Sequence, residues 1–435
     1  MTTSFGAGEA FAQDTTPSTN ETDSSIKLPA VRVRGEGDAG VAAGNTNSST
    51  LNISRMPASV RDTPQTITVV PHEIIKEQRV FTLDQALANV PGITLSTGEG
   101  NGGMNGDQFR IRGLQARQDM YTDGLRDFGT YTRDIFNTED VQVIKGPTGE
   151  YFGADYNYDQ AFGSASMYRG AGDVNYQIND DIALRINGMY NRQGVADRKR
   201  TTSNRYGTAV DLGVGLHTSG LQSQRADRWS PSGSIMVNPL ETVSFYFTFA
   251  RSYKPIGTDV AGTVTNNVNS ADVASDTKDF KPQRSDLFEF GSKADFLHRR
   301  LGATLSFFRI NETNTYYYDT NGDIAVGQGD AGSGRRIQGV ELSLTGKITK
   351  DWNIYGSYSY LDGKVTHSTT GDNGKQAPQI SHNNFSLWTS YDLSRALLNP
   401  GWGQLKVAGG AHIFWPDSTF GWQDIYRECW VNLLI

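Results

Sequence analysis

From about Ala165 onward, apolar side chains recur at every second residue, and this one feature fixes most of what the chain can become. Ile182/Leu184/Ile186, Val243/Phe245/Phe247/Phe249, Val340/Leu342/Leu344, Ile354/Gly356/Tyr358/Tyr360, Phe385/Leu387/Thr389/Tyr391 and Leu405/Val407/Gly409/Ala411/Ile413 mark one face. Arg185, Asn187, Ser244, Glu341, Ser343, Ser357, Ser359, Ser386 and Lys406 lie between them. A period of two puts successive side chains on opposite faces of a strand, so each segment is apolar on one side and polar on the other. Soluble sandwiches alternate as well. Here, however, segments of about ten residues recur with polar turns between them and with aromatics near their ends (Tyr190, Trp352, Tyr360, Trp388, Phe414, Trp415), the pattern of a lipid-facing barrel with interfacial girdles.

Composition supports that reading by exclusion. The 435 residues hold 40 Lys+Arg against 47 Asp+Glu, a net charge of −7, and no basic run, which argues against a nucleic-acid partner that needs its phosphates neutralised. Hydrophobic residues are only 37% while Gly (48) and aromatics (11%) are plentiful, which suits many short strands better than packed helices. No run reaches the ~18 apolar residues of a membrane-spanning helix, a test that says nothing about barrel strands. A single cysteine, Cys429, excludes an intrachain disulfide, and His72, His217, His298, His367, His382 and His412 are scattered without metal-ligand spacing.

Upstream of the strands the texture changes twice. Residues 1–27 are polar and predict a disordered leader, in which Ala10-Phe11-Ala12 before Gln13 has the form of a clipped signal-peptidase site. From about Met56, Ile67–Val70 reads as a strand, Pro71 opens a helix with Ile74, Ile75 and Val80 on its apolar side, and Thr82 caps a helix from Leu83 to Val90, closed by Pro91-Gly92. Short strands follow at Ile93–Leu95, Phe109–Arg112, Met120–Thr122 and Val141–Ile144, giving a small α+β unit.

Sequence motifs with chemical associations lose their mechanism in context. Gly98-Glu99-Gly100-Asn101-Gly102-Gly103 fits G-x-G-x-x-G but no helix follows, so it predicts a flexible loop. Asp319-Thr320-Asn321-Gly322-Asp323 begins like a calcium loop, yet Ile324 stands where the turn glycine belongs, and a hairpin turn is the better reading. No second histidine follows His72-Glu73, and neither G-x-S-x-G nor a Walker loop occurs, so no catalytic residue and no resident cofactor or metal is expected.

Asp62-Thr63-Pro64-Gln65-Thr66-Ile67-Thr68-Val69-Val70, then Leu83-Asp84-Gln85-Ala86-Leu87 with Val90-Pro91-Gly92-Ile93, then Phe109-Arg110-Ile111-Arg112-Gly113 occur in a fixed order. They resemble the plug of TonB-dependent outer-membrane ferric siderophore receptors. Tyr121-Thr122-Asp123-Gly124-Leu125-Arg126-Asp127 and Phe136–Pro147 are most similar to the ferric-catecholate branch, and Lys281–Gly291 and Gln338–Leu342 resemble two of the family's barrel strands. The resemblance implies a β protein with a small α+β plug: residues 45–165 occluding an antiparallel transmembrane β-barrel over 166–435. It also implies a Gram-negative outer-membrane location, a lipid-embedded monomer, a ferric siderophore as ligand and TonB as energy-transducing partner. Family barrels have roughly 22 strands. Here ten or eleven are countable, Ala154-Asp155-Tyr156-Asn157 stands where the last plug strand is expected, and no closing aromatic strand precedes Ile435, so an incomplete barrel is expected.

Residue roles follow from the resemblance. Leu28-Pro29-Ala30-Val31-Arg32-Val33 looks like a TonB box in a linker over 28–44, an extended segment suited to adding to a partner's sheet edge. Arg112 and Lys145 match plug cations and Glu289 and Glu341 match inward barrel acids, implying buried ion pairs across the two domains. Arg117, Arg126, Tyr131 and Arg133, with Phe128 for stacking, are the expected contacts for an anionic aromatic ligand. An exported β-rich interaction fragment without transport activity is the alternative, whereas an enzyme, such as a secreted polysaccharide hydrolase, finds no recognisable carboxylate pair.

Overall fold

The computed structural model describes residues 45–49, 51, 59–95, 106–107, 109–116, 119–122, 125–127, 131–146, 167–179, 181–195, 224–254, 283–315, 333–368, 371–377, 380–394, 405–414 and 426–434. Every described residue lies within the unit 40–435. The expected leader, the Leu28–Val33 box, the glycine loop at 98–103 and the turn at 319–324 lie outside the described residues.

The N-terminal part is the small α+β unit expected from its sequence. A 3-10 turn (Thr46–Ser48) precedes strand β1 (Ile67–Pro71), helix α1 (His72–Gln78) and helix α2 (Leu83–Leu87). Six short strands follow: β2 (Ile93–Leu95), β3 (Phe109–Ile111), β4 (Leu114–Gln115), β5 (Tyr121–Thr122), β6 (Leu125–Arg126) and β7 (Asp140–Ile144). β1 pairs antiparallel with β7, β2-β3-β4 form a second sheet, and β5-β6 pair with each other. Helix α2 is shorter than the sequence predicts. Residues 88–90 close in tight turns, with Asn89 N–H on Ala86 O and Val90 N–H on Leu87 O, because Pro91 disfavours helical backbone just before it. Thr82 holds the cap position but its hydroxyl does not cap; Gln85 instead accepts from the Phe81 N–H at 3.1 Å.

Eleven strands among the described residues form one antiparallel meander. They are β8 (Met167–Gln177), β9 (Ile182–Val195), β10 (Gln224–Leu240), β11 (Val243–Lys254), β12 (Gln283–Phe296) and β13 (Leu301–Thr315), followed by β14 (Ser333–Lys347), β15 (Trp352–His367), β16 (Asn383–Asp392), β17 (Lys406–Phe414) and β18 (Tyr426–Leu434). Each pairs with its sequence neighbour, in the order β8 to β18. The connections at one end are short, two residues between Leu240 and Val243, and those at the other are long, 28 between Lys254 and Gln283. In outer-membrane barrels the short turns face the periplasm and the long loops face outward.

The alternation resolves into an inverted amphipathic wall. Phe245, Phe247, Phe288, Phe290, Phe307, Leu342, Tyr358 and Tyr360 point outward and are exposed, whereas Ser244, Thr248, Ser306, Ser357, Ser359, Glu289 and Glu341 are buried on the inner face. Leaving so many large apolar side chains part-exposed in water would forfeit a fraction of the ~1.5–3 kcal/mol that full burial of each is worth, a loss that vanishes when hydrocarbon surrounds them. Trp388 departs from the girdle expected for it. Its position in β16 aims it inward, where it is 1% exposed and its indole N–H donates to Glu77 of α1 at 3.0 Å. Trp352 and Tyr360 do lie on the outer face.

The N-terminal unit packs against this inner face. Its apolar core of Val70, Ile74, Ile75, Leu87, Val90 and Ile93 is continuous with Tyr355, Trp388 and Ala408 of the wall. Toward the long-loop end a second cluster seats Leu114 among Leu287, Phe308, Ile337, Leu361 and Ile380. It is therefore a plug.

Candidate functional site

Four charged side chains from opposite domains meet about midway along the strands, in the lumen. Arg112 reaches there from a two-residue hairpin loop: Ile111 pairs with Leu114, and Arg112 and Gly113 take φ of 53° and 77°. Positive φ at both positions is the geometry of a type I′ turn, which favours Asn-Gly. Arginine in the left-handed region costs about 1–2 kcal/mol. That strain is offset by placing the guanidinium at the tip of the turn, where Arg112 Nη1 meets Glu289 Oε2 at 2.5 Å while Nε and Nη2 fork onto the two oxygens of Glu341 at 3.1 and 2.9 Å. Its charged plane also lies 4.0 Å over the Phe308 ring.

Lys145 follows the last residue of β7 and places Nζ 3.0 Å from Glu341 Oε2 and 2.5 Å from the carbonyl of Pro91. Two cations thus face two carboxylates, all fully buried, so the cluster is neutral as a unit. Glu289 Oε1 is further held by the backbone N–H and hydroxyl of Thr66 and by the Tyr246 hydroxyl, at 2.8 to 2.9 Å. Gly92 completes the cage. Its N–H donates to Ser359 Oγ at 2.8 Å, its carbonyl accepts from the Arg112 N–H at 2.7 Å, and at φ 69° any Cβ would collide with the Glu341 carboxylate.

The two plug cations are not equivalent. Burial alone would lower the Arg112 pKa, and Glu289 and Glu341 overturn that and hold it above its ordinary value. For Lys145 burial dominates and pushes the ammonium down to about 8, Glu341 acting against it and Arg112 with it. Lys145→Met is expected to lower the thermal midpoint, because it leaves one cation for two buried carboxylates, but by less than Arg112→Leu, because burial already weighs against the ammonium and Arg112 still contacts both acids. Differential scanning calorimetry of both variants checks this. A Lys145→Met loss as large as that of Arg112→Leu would show that the ammonium, not its packing, matters.

Residues 45–49 and 59–66, a strap along the inner face, lie between the short-turn end and this cluster. Asn45 and Asn47 donate to Asp295 Oδ1 at 2.9 and 3.3 Å, Thr46 shares a hydroxyl contact with Thr345 at 2.7 Å, and Arg61 pairs with Asp295 at 3.3 Å. Lys293 places Nζ 2.5 Å from both the Val60 and Thr63 carbonyls. Sequence reasoning missed Lys293, Asp295 and Tyr246. The signal was present: Glu289, Lys293 and Asp295 share the inward parity of β12 in a stretch otherwise suited to lipid.

The expected ligand contacts are placed differently from one another. Arg117 and Phe128 lie outside the described residues, and Arg126 ends β6 with its side chain undescribed. Tyr131 is 52% exposed. Arg133, by contrast, is largely buried: Asp107 accepts from it at 3.0 Å, Asp127 lies 3.0 Å away, and the guanidinium sits 4.4 Å from the Tyr131 ring. Burial works to lower its pKa and the two carboxylates raise it above the ordinary value. It is thus engaged with carboxylates rather than presented as the open cation expected from sequence, while Tyr131, its hydroxyl on Asp127 at 2.7 Å, offers the open aromatic surface.

A wall that is apolar outside and polar inside, with a plug tied to its inner face through a buried charge cluster, is the architecture of a plugged outer-membrane β-barrel. Residues 79–426 match the family described as TonB dependent receptor-like, beta-barrel, and the chain belongs to that family. The catecholate siderophore receptor Fiu of Escherichia coli (strain K12) is 36% identical over 179 residues, 37% of this chain and 24% of Fiu. PiuA of Acinetobacter baumannii is 39% identical over 209 residues, 45% of this chain and 25% of PiuA. The matched stretch thus spans about a quarter of the length of these curated relatives. Among solved structures, the closed form of the ferric-catecholate import receptor Fiu superposes with a TM-score of 0.60 at 18% identity, covering 90% of this chain and 93% of that chain. The siderophore receptor PiuA gives 0.56 at 18% identity, covering 88% and 91%. These relatives are receptors and not enzymes.

Proposed function

We propose that this chain is an outer-membrane receptor and energy-coupled transporter for ferric siderophores of the catecholate type, working as a monomer and coupled to TonB through Leu28–Val33. The observation that carries the reading is the neutral Arg112/Lys145/Glu289/Glu341 cluster. It ties the plug to the inner face of the wall through buried ion pairs, which an energy-coupled uptake step would have to exchange or break. Iron enters as cargo within its chelate, and no resident metal or cofactor is proposed. The relatives named for catecholate siderophores support the ligand class.

A ferric catecholate is anionic with exposed aromatic rings, so its capture gains from ring stacking and from cations facing outward. Tyr131, steadied by Arg133 and Asp127, offers such a ring, and Arg117, Arg126 and Phe128 are proposed to act beside it. Quenching of tryptophan fluorescence by a ferric catecholate, with a neutral ferric hydroxamate in parallel, tests this. Tyr131→Ala is expected to weaken the catecholate roughly two- to thirtyfold, the range of one cation–π or stacking contact, and Arg133→Lys by less. Neither should change the hydroxamate. Equal weakening of both complexes would remove the catecholate assignment.

A further inference from the structure

Lys293 is held unlike the other charges that face the strap. It is fully buried, yet among the described residues no carboxylate lies in ion-pair reach of it. Its ammonium rests on the Val60 and Thr63 carbonyls at 2.5 Å each, and lies 5.3 Å from the centre of the Tyr246 ring. Both carbonyls belong to one tight turn of the strap, in which the Asp62 N–H donates to Ser59 O at 3.1 Å and the Thr63 N–H to Val60 O at 3.4 Å. A buried ammonium without a counter-charge is costly.

An opposite charge stands close by on the same strand. Asp295 is two residues further along β12 and so on the same inward face, about 7 Å away along the backbone and within the span of lysine's four-carbon stem. It is engaged elsewhere, by Arg61 at 3.3 Å and by Asn45 and Asn47 at 2.9 and 3.3 Å, all three from the strap. With the strap seated, the cation and the acid of β12 are thus each satisfied by strap groups. Arg61 is partly exposed and takes its charge along when the strap leaves. Lys293 and Asp295 stay behind, opposite in sign, each uncompensated unless it turns to the other.

We propose that Lys293 and Asp295 are an exchange pair that makes the strap detachable: seated, both bind the strap, and on release the ammonium swings from the two carbonyls onto the Asp295 carboxylate. The wall then keeps its own neutrality, which lowers the cost of opening. Tyr246 directs the choice of acid. Its phenol lies over Gly291, where a Cβ would collide with it, and its hydroxyl donates to Glu289 at 2.8 Å, so the ring screens Lys293 from Glu289 and leaves the Arg112 cluster undisturbed. The device rests on the reading of the chain as an uptake receptor whose strap is drawn away.

Amide hydrogen exchange of the full chain in detergent micelles tests this, because exchange of the 59–66 peptide reads the population with the strap open. Lys293→Met and Asp295→Asn each remove a fastening but also strand the other charge once the strap is off. Each single variant is therefore expected to exchange more slowly than the parent over 59–66, and the double variant about tenfold faster than either single, mid-range for a coupled pair. Mere fastenings would give the reverse, with each single variant faster than the parent and the double fastest of all. Exchange over 301–347 serves as the folding control, and Lys293→Gln replaces Lys293→Met if that control moves. Single variants that exchange as fast as the parent or faster, or a double variant no faster than the singles, would overturn the exchange pair. The measurement uses neither TonB nor a siderophore, so that result leaves the receptor reading standing, which the deletion of residues 28–33 tests separately.

Discussion

Arg112→Leu is expected to destabilise the closed plug by about 3–5 kcal/mol, because it strands two carboxylates in a space that water does not reach. That corresponds to roughly two to three and a half orders of magnitude in the ratio of open to closed plug. Lys145 alone cannot hold both acids: it contacts Glu341 at 3.0 Å, whereas Glu289 receives its charged partner from Arg112 Nη1. Leucine also abandons the contact over Phe308 and leaves a left-handed backbone with no guanidinium to justify its strain. Limited proteolysis between residues 60 and 146 reads the effect directly as a faster cleavage rate. Glu289→Ala and Glu341→Ala should act in the same direction. Glu341→Ala should act more strongly, since Glu341 is bound by both cations. Cleavage at the parental rate in all three variants would mean that apolar packing, not the charge cluster, keeps the plug closed.

Deleting residues 28–33 is expected to abolish uptake of a ferric siderophore while leaving its binding unchanged. The deletion removes only the segment proposed to pair with TonB, and the strap it would pull is intact. That strap is fastened at Asn45, Asn47, Arg61, Val60 and Thr63 to β12 and its neighbours, and its last fastening, Thr66, donates two hydrogen bonds to Glu289 Oε1. Weakened binding in the deletion, measured by fluorescence quenching, or uptake of radiolabelled iron at the parental level, would refute the box assignment.

How much was legible in advance follows from what each signal measures. The period of two is a local property of each strand, so the wall, its lipid-facing side and the inward parity of Glu289 and Glu341 could be read residue by residue. The same rule read with more care would have turned Trp388 inward, since Leu387 and Thr389 take the outer face; its aromatic character suggested a girdle and its parity decided otherwise. Helix α2 ended early for an equally local reason, the proline at position 91.

Partners, by contrast, are properties of the folded chain. Nothing near Arg133 in a window of a few residues says that Asp107, 26 positions away, closes on its guanidinium. Nothing around Arg112 says that its turn takes left-handed backbone to deliver three N–H groups onto acids 177 and 229 residues distant. The sequence by itself determined the alternation, the plug's motifs and the identity of the charges inside. Only the tertiary structure decided which charges meet, which are already neutralised and which, like Lys293, rest on carbonyls. The reason is physical: side-chain direction is set by neighbours in the chain, whereas compensation of a buried or interfacial charge requires an opposite charge within a few ångströms, and only the register of distant strands brings one there.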